Sequence, residues 1–396
     1  MKIYIVGIGM DGDKTLTAEA RNAILGADVL IGARRMTGPF LGLGKPVFES
    51  WRPEEIREHI LNSGCGTAAV LMSGDCGFFS GTEKLLDALS DFDTEVIPGI
   101  STPVFLCAKA GIPWQDMHFV SLHGTDGNIV RNVRRNKRCF FLLGGDAAPA
   151  DICRKLCEYG MNAVKIYIGS RLAYVDEYIA EGTAEQFTDI KCNGLCAVIT
   201  ENNEPEMSIP SGIPDGEFIR GSVPMTKSEI RAAVASELKI CYNDTVWDIG
   251  CGTGSVSIEC ALSAWNGTVI SVDKNEEAAA LTRENAVKFG CDNIQVVCGS
   301  VPEVLAGLQR PDRVFIGGAG GNISAVIGTA FADENSPRTV VTAVTVETLN
   351  EAVSAFRERG IEPGITQISA VRTRSVGKHT MFDAQNPVFI ITGGGR

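Results

Sequence analysis

The chain has 396 residues, 44% hydrophobic and 21% charged, which excludes a mainly disordered chain and predicts two or three domains. Its net charge is −12, with −7 over residues 1–210 and −5 over 211–396, so neither half has the basic balance of a nucleic-acid binder. No stretch reaches the ~18 apolar residues of a membrane span and the N-terminus lacks a signal-peptide pattern, so a cytoplasmic protein is expected. Thirteen cysteines, an odd number set mostly in apolar runs, are expected to be reduced.

Short apolar strands alternate with helical segments almost throughout. Lys2–Gly7 is followed by a helix to about Gly26 that Thr17 can cap, with Glu19 in its first turn. Asp28–Gly32, Ala68–Met72, Thr94–Ile97, Phe119–Leu122, Arg138–Leu143, Ala163–Ile168 and Leu195–Thr200 read as further strands, which predicts an α/β half with a largely parallel sheet. The pattern breaks at ENNEPEMSIPSGIPDGEFIRG (Glu201–Gly221), with three prolines and three glycines. We therefore expect domains at 1–205 and 222–396 joined by a linker at 206–221. Thr226–Ile240 reads as a helix opened by a capping box of Thr226 and Glu229. Strands at Thr245–Ile249, Thr268–Val272, Ile294–Val297, Arg313–Ile316 and Thr339–Ala343 follow, and Ile365–Val371 and Pro387–Thr392 close the chain. This predicts a doubly wound sheet with an antiparallel edge.

The sharpest signal is VWDIGCGTGSVSIE (Val246–Glu259): a buried strand, a loop with Gly250, Gly252 and Gly254, and a helix start near Ser255. Glycines let the backbone turn sharply and approach a ligand, and the helix start offers free N–H groups. The next strand ends in Asp273, 19 residues past Gly254, where a carboxylate can accept hydrogen bonds from ribose hydroxyls. Gly317, Gly318, Gly320 and Gly321 follow another strand end and offer a side-chain-free floor suited to a flat macrocycle. Arg372, Arg374, Lys378 and His379 near the end of the sheet are candidates to pair with substrate carboxylates. In the first half, GIGMDGDKTLT (Gly7–Thr17), SGDCGFFSG (Ser73–Gly81), PGIST (Pro98–Thr102) and SLHG (Ser121–Gly124) stand at strand ends and suggest a cleft.

D-I-G-C-G-T-G resembles motif I of the class I S-adenosylmethionine (SAM) methyltransferases, in which Asp248 would face the methionine ammonium of the ligand. SVPMTKSEIRA (Ser222–Ala232), VDKNEEA (Val272–Ala278), PDRVFIGGAGGNI (Pro311–Ile323), AVTVETLNEA (Ala343–Ala352) and AQNPVFIITGG (Ala384–Gly394) resemble the decarboxylating precorrin C15-methyltransferases of cobalamin biosynthesis. That resemblance implies that Thr226, Gly250, Cys251, Gly252, Thr253, Gly254, Asp273, Ser300 and Val301 line a SAM site, with Gly318 and Gly320 at the reacting centre; Ser300 stands where the family has Asp.

The loops of the first half together resemble the tetrapyrrole methylases, a two-lobed class III SAM fold, and WQDMHFVSLHG (Trp114–Gly124) resembles their precorrin C5-methylating branch. The resemblance implies a second SAM site at Gly74, Asp75, Gly77, Ile100, Ser101 and Thr102, a substrate floor at Gly7 and Gly9, and His123 as a proton handler or carboxylate partner. Met10-Asp11-Gly12 and Gly74-Asp75-Cys76 replace the family's Gly-Pro-Gly and Gly-Asp-Pro and lose two stiffening prolines.

The fusion resembles the bifunctional, decarboxylating precorrin C5,15-methyltransferases. It implies SAM in each domain, an anionic tetrapyrrole substrate, methylation at carbons 5 and 15, and CO2 loss from the ring C acetate. We expect a homo-oligomer with no nucleic-acid or membrane partner. The pairs Cys153/Cys157 and Cys192/Cys196 complete no familiar zinc spacing, so no metal is expected. Arg131–Arg138, with five basic residues in eight, reads as a solvated helix face or a rim that attracts an anionic substrate. Two other readings stay open: an RNA or protein methyltransferase, and a chain active only in its C-terminal half beside a non-catalytic N-terminal module.

Overall fold

Strand β1 (Lys2–Gly7) sends Ile3 and Ile5 to one face and Val6 to the other. The alternation continues in β2 (Val29–Gly32) and, beyond β3 (Val47–Glu49), in β4 (Thr67–Met72). Val29, Ile31, Ala68 and Val70 join Ile3 in one core, while Leu30, Ala69 and Leu71 join Val6 in a second. Both faces are therefore covered, as a parallel sheet requires. With β5 (Asp93–Ile97) the strands run β3-β2-β4-β1-β5, all parallel. Thr17 caps the helix Ala18–Gly26, its hydroxyl accepting from the Ala20 N–H at 3.1 Å.

A second sheet holds β6 (Met117–Ser121), β7 (Arg138–Leu142), β8 (Lys165–Ser170), β9 (Tyr178–Thr183) and β10 (Cys196–Glu201), in the order β6-β7-β10-β8-β9. The expectation of a largely parallel first half holds for the first sheet and fails for this second one. Only β6 and β7 pair in parallel; β10 runs antiparallel to β7 and β8, and β9 antiparallel to β8. The connection from β8 to β9 is too short for a helical crossover, so the chain turns back as a hairpin. The sequence reading misses β3 and β9 because both are sheet edges without a buried apolar run.

The third sheet is built from β11 (Thr245–Ile249), β12 (Thr268–Asp273), β13 (Ile294–Cys298), β14 (Arg313–Ile316), β15 (Arg338–Ala343), β16 (Gly364–Ile368) and, after the hairpin β17 (Val371–Val376) and β18 (His379–Ala384), β19 (Val388–Gly393). Its order is β13-β12-β11-β14-β15-β19-β16, parallel up to β15 and antiparallel at the β19 and β16 edge. Val246, Val269 and Phe315 pack on one face, and Trp247, Ile249, Ile270, Val272, Val314 and Ile316 on the other. The expected strand Ile365–Val371 is divided, since Val371 belongs to the separate β17–β18 ribbon.

The structure describes the chain as a computed structural model over residues 1–396 except 13, 123–126, 145–146, 193, 209–210, 333–335 and 396. Its contacts fall into an N-terminal unit (Met1–Gly127, Lys137–Cys157, Met161–Asn203) and a C-terminal unit (Asn128–Asn136, Glu158–Gly160, Glu204–Arg396). Among the described residues no helix is long and apolar enough to cross a membrane.

Two local expectations are corrected. The helix beginning at Ser228 (Ser228–Leu238) has Lys227 at its N-cap, with no side-chain cap bond, and not Thr226. Asp215 accepts the Ser228 N–H at 3.0 Å instead, and Glu229 is drawn to Arg372. The basic run Arg131–Arg138 is not a solvated face. Arg131 is 1% exposed and pairs with Glu206 at 3.0 Å, and the Val130 and Arg131 N–H groups at the start of helix Ile129–Arg135 donate to Asp292 at 2.7 and 3.0 Å. Arg138 is likewise buried, between Asp116 and Glu201.

Candidate functional sites

In the C-terminal unit β11 ends at Ile249 and the chain must turn over the end of β12. It does so because the Gly250 and Cys251 N–H groups both donate to the Val272 carbonyl, at 2.8 and 3.2 Å. Gly250, Gly252 and Gly254 have φ of +78°, +57° and +75°, which disfavours any residue with a Cβ. Gly250 is also pressed by a second loop: a Cβ there would come 2.3 Å from the Gly318 carbonyl oxygen. Gly317 and Gly318 in turn donate to the Ile249 carbonyl at 2.9 and 3.3 Å, locking the ends of β11 and β14 together.

These loops enclose a cavity of about 140 Å³ whose walls include Gly250, Asp273, Lys274, Ser300, Val301, Gly318, Gly320 and Asn322. Asp273 takes the Gly252 N–H on Oδ2 at 3.0 Å and the Asn275 N–H on Oδ1 at 2.9 Å, which fixes its carboxylate at the cavity wall. Each oxygen keeps a lone pair for a further donor. A Cβ at Gly318 would meet nothing within 4 Å, so the glycine leaves open space where a ligand can approach. A fixed acid at a strand end beside bare backbone fits the ribose and methionine portions of SAM.

Several expected residues stand elsewhere. Asp248 is 0% exposed and does not line the cavity. It shares the parity of Val246 and points beneath the helix Ser255–Ser263, where the Ser257 hydroxyl donates to Oδ2. Ser271 donates to Ser257 at 2.8 Å, while Oδ1 of Asp248 has no hydrogen-bond partner among the described residues. Burial pushes this carboxyl up to about 7, helped by the nearby charge of Asp273. Cys251 and Thr253 are buried, the thiol 3.4 Å from the Thr282 hydroxyl and the Thr253 carbonyl held by Asn285 at 2.9 Å. They brace the loop, as does Gly254, against the helix Glu276–Phe289. Thr226 also lies outside the cavity wall, its carbonyl accepting from Arg231.

Arg372, expected to bind substrate, stands outside the cavity wall. Its guanidinium is committed to Asp215 at 2.8 Å and Glu229 at 2.5 Å, two carboxylates that neutralise it. Arg374 and His379 sit exposed on the β17–β18 ribbon, outside the cavity wall, with Arg374 at 4.0 Å from Asp383. Lys274 and Asn322 were not singled out from the sequence; only the place of Lys274 directly after the strand-end acid could have flagged it.

In the N-terminal unit three loops meet at a point of close backbone contact. A Cβ on Gly7 would come 2.6 Å from the Gly99 nitrogen and 2.8 Å from the Gly74 oxygen. Gly9 and Gly74 exchange N–H···O bonds at 3.1 and 2.8 Å. Gly7 and Gly9 are therefore buried joints between loops and do not form an open substrate floor. The lost prolines have replacements. Cys76 is buried and its thiol donates toward the Ile5 and Ile97 carbonyls, at 3.6 and 3.5 Å. The Thr15 hydroxyl accepts the Met10 N–H at 2.7 Å and stiffens the first loop.

Beside this joint lies a cavity of about 510 Å³, with Gly74, Asp75 and Thr102 in its wall. Asp75 takes the Gly77 N–H at 2.8 Å and the Gly99 N–H at 3.0 Å, tying two loops together. Gly77 and Ile100 stay outside the wall, and Ser101 is buried at the start of helix Thr102–Ala110. His123 lies outside the described residues. The sequence reading missed Arg35, Phe78, Phe79, Arg171 and Tyr174, which also line the cavity.

The family model for tetrapyrrole (corrin/porphyrin) methylases matches residues 2–188, and that for the precorrin methyltransferase domain matches residues 218–392. Both units thus fall within SAM-dependent methyltransferase families of corrin and porphyrin chemistry. A "Probable cobalt-precorrin-6B C(15)-methyltransferase (decarboxylating)" of Pyrobaculum calidifontis is 45% identical over 184 residues, 46% of this chain and 94% of the relative. The "Precorrin-6Y C(5,15)-methyltransferase [decarboxylating]" of a Sinorhizobium species is 28% identical over 394 residues, 98% of this chain and 94% of the relative. Among solved structures, a precorrin-6Y C5,15-methyltransferase of Geobacter metallireducens is 35% identical, covering 46% of this chain and 95% of its own, with a TM-score of 0.43. The chain belongs to the decarboxylating precorrin-6Y C5,15-methyltransferases, a tetrapyrrole methylase followed by a precorrin methyltransferase domain.

Proposed function

We propose a division of labour within the C5,15 methylation and decarboxylation of precorrin-6Y that this family performs in cobalamin biosynthesis. The C-terminal unit methylates carbon 15 and releases CO2 from the ring C acetate, and the N-terminal unit methylates carbon 5, each with its own SAM. The observation that carries this reading is the presence of one cavity cornered by strand-end glycine loops in each unit, one bearing Asp273 and the other Asp75 and Thr102. A relative named for C15 chemistry alone aligns with this chain over 184 residues, 94% of its own length, which is close to the extent of the segment 218–392 matched by the precorrin methyltransferase model.

Bound SAM supplies a sulfonium methyl group that an electron-rich carbon can attack in line. The meso carbons of a reduced tetrapyrrole are such nucleophiles, because the ring nitrogens push density toward them. The new C–C bond takes its pair from the ring, and the broken C–S pair stays on sulfur. In decarboxylation the acetate C–C pair passes into the ring, which accepts it as a protonated imine. What remains for the protein is positioning and exclusion of water. Asp273 receives the ribose hydroxyls, Ser300 and Val301 border the adenine, and Gly318 and Gly320 let the macrocycle approach without a side chain intervening. Gly74, Asp75 and Thr102 hold the second cofactor.

The test is to incubate the full chain with SAM and precorrin-6Y and read product masses. Two methyl groups gained with one CO2 lost is the expected result. One methyl with CO2 loss would remove C5 methylation from the reading, and no mass change despite SAM binding would overturn it.

A further inference from the structure

We propose that Arg35 anchors a carboxylate arm of the tetrapyrrole in the cavity of the N-terminal unit, holding the ring over the Phe78–Phe79 surface; this rests on the assignment of C5 methylation to that unit. Charge bookkeeping within the cavity leads there. Its walls carry Arg35, Arg171 and Asp75 among otherwise mainly apolar and small residues. Arg171 is already neutralised, with Asp176 at 2.5 Å, and lies over the Tyr174 ring at 5.0 Å. Asp75 is held in place by the Gly77 and Gly99 N–H groups, one on each oxygen, and among the described residues makes no ion pair with Arg35. Arg35 has no acidic partner among the described residues; its one bond is from Nη2 to the Ser73 hydroxyl, at 3.3 Å. That bond steadies the guanidinium while leaving most of its N–H donors free, in a planar fork matched to a carboxylate.

The apolar side of the cavity fits the rest of the same ligand. Phe78 and Phe79 meet edge to face at 4.8 Å, and Phe78 is braced from below by Phe119 at 5.4 Å. Phe79 stays 54% exposed and has φ of +43°, an uncommon conformation for a bulky residue. An exposed aromatic held in a costly backbone conformation at a cavity mouth marks a contact surface. A flat, largely apolar ring with anionic arms satisfies both the aromatic surface and the unpaired cation. A small polar ligand would satisfy only the second.

The full chain separates this proposal from the reading beneath it, because C15 methylation with CO2 release serves as an internal control. Arg35→Gln is expected to raise the KM for the tetrapyrrole in transfer of the second methyl group by about 10- to 100-fold. Arg35→Lys should recover part of the loss, while SAM affinity by calorimetry and CO2 release stay at wild-type levels. Arg34→Gln, one residue away and outside the cavity wall, should behave as wild type. An unchanged KM in both Arg35 variants overturns the anchor and leaves the assignment of C5 methylation standing. A parallel fall in SAM affinity would also overturn it, since Arg35 would then be serving the cofactor. A wild-type chain that transfers no second methyl group removes the underlying assignment, and the anchor with it.

Discussion

Asp248 shows how strongly the surroundings of one motif position depend on the fold. The sequence places an acid directly before the glycine loop, and a contact to the ligand follows naturally. Strand parity sends the side chain below the sheet end, into a buried layer with Ser257 and Ser271. Desolvation then favours the neutral acid, with a folded value of about 7 against 3.8 for an ordinary aspartate. A raised folded value means that the contribution to stability is complete below about pH 4 and is lost as pH climbs to about 7, where the unfolded chain alone has given up its proton. Asp248→Asn removes that dependence. Its melting temperature relative to wild type should rise between these two pH values and level off above them, as read by calorimetry across a pH series. A constant difference would show that Asp248 does not titrate in that window. Gly250 makes the complementary point, since its role was legible. Gly250→Ala forces a Cβ to 2.3 Å from the Gly318 oxygen at a positive φ, and should cost about 1–3 kcal/mol in urea denaturation and abolish CO2 release.

At the scale of elements, the start of helix Ser228–Leu238 is held by long-range charges and not by its own sequence. Asp215 caps it and pairs with Arg231 and Arg372, and Arg372 reaches on to Glu229. Hydrogen bonding from Arg372 holds the Glu229 carboxyl below its usual value. The cluster thereby fastens the β17 strand to the helix. Arg372→Ala should destabilise the chain by about 0.5–1 kcal/mol, since the pairs are partly exposed. It should leave the KM for tetrapyrrole unchanged, whereas a substrate clamp at this position would raise that KM at least tenfold. The capping box was a sound local reading of Thr226 and Glu229. It failed because the competing partner, Arg372, lies 143 residues away. The strands were read well where they are buried, as with β1, β11 and β14. Edge strands such as β3 and β9 escaped, because a half-exposed strand needs no apolar run.

For the whole molecule, the proposal of one cofactor site in each unit predicts two separable activities. Asp273→Ala should weaken SAM binding in the C-terminal unit by about tenfold or more and suppress CO2 release, while SAM-dependent methyl transfer by the N-terminal unit continues. Loss of both activities together, in a variant that melts like wild type, would contradict the separation. The division of the chain itself is less linear than its composition suggests. The proline- and glycine-rich stretch Glu201–Gly221 is the visible break in pattern, yet residues Asn128–Asn136 and Glu158–Gly160 group with the C-terminal unit. Asp292 receives the first N–H groups of helix Ile129–Arg135, and Arg135 lies over Trp265 at 5.1 Å.

What the sequence by itself determined is what depends on neighbours along the chain. The alternation of buried strands, the glycine loops that need a positive φ, the acid Asp273 at the end of its strand, and the resemblance of each half to a methyltransferase family all belong there. Only the tertiary structure decided which charges are spent and which are free. Arg372, expected to meet substrate, is neutralised by Asp215 and Glu229, whereas Arg35, in the short helix Arg34–Thr37, lines a cavity without an acid paired to it among the described residues. Local patterning fixes which residues can be buried or turn, but ion pairing and solvent access are set by residues that the fold brings together from far along the chain.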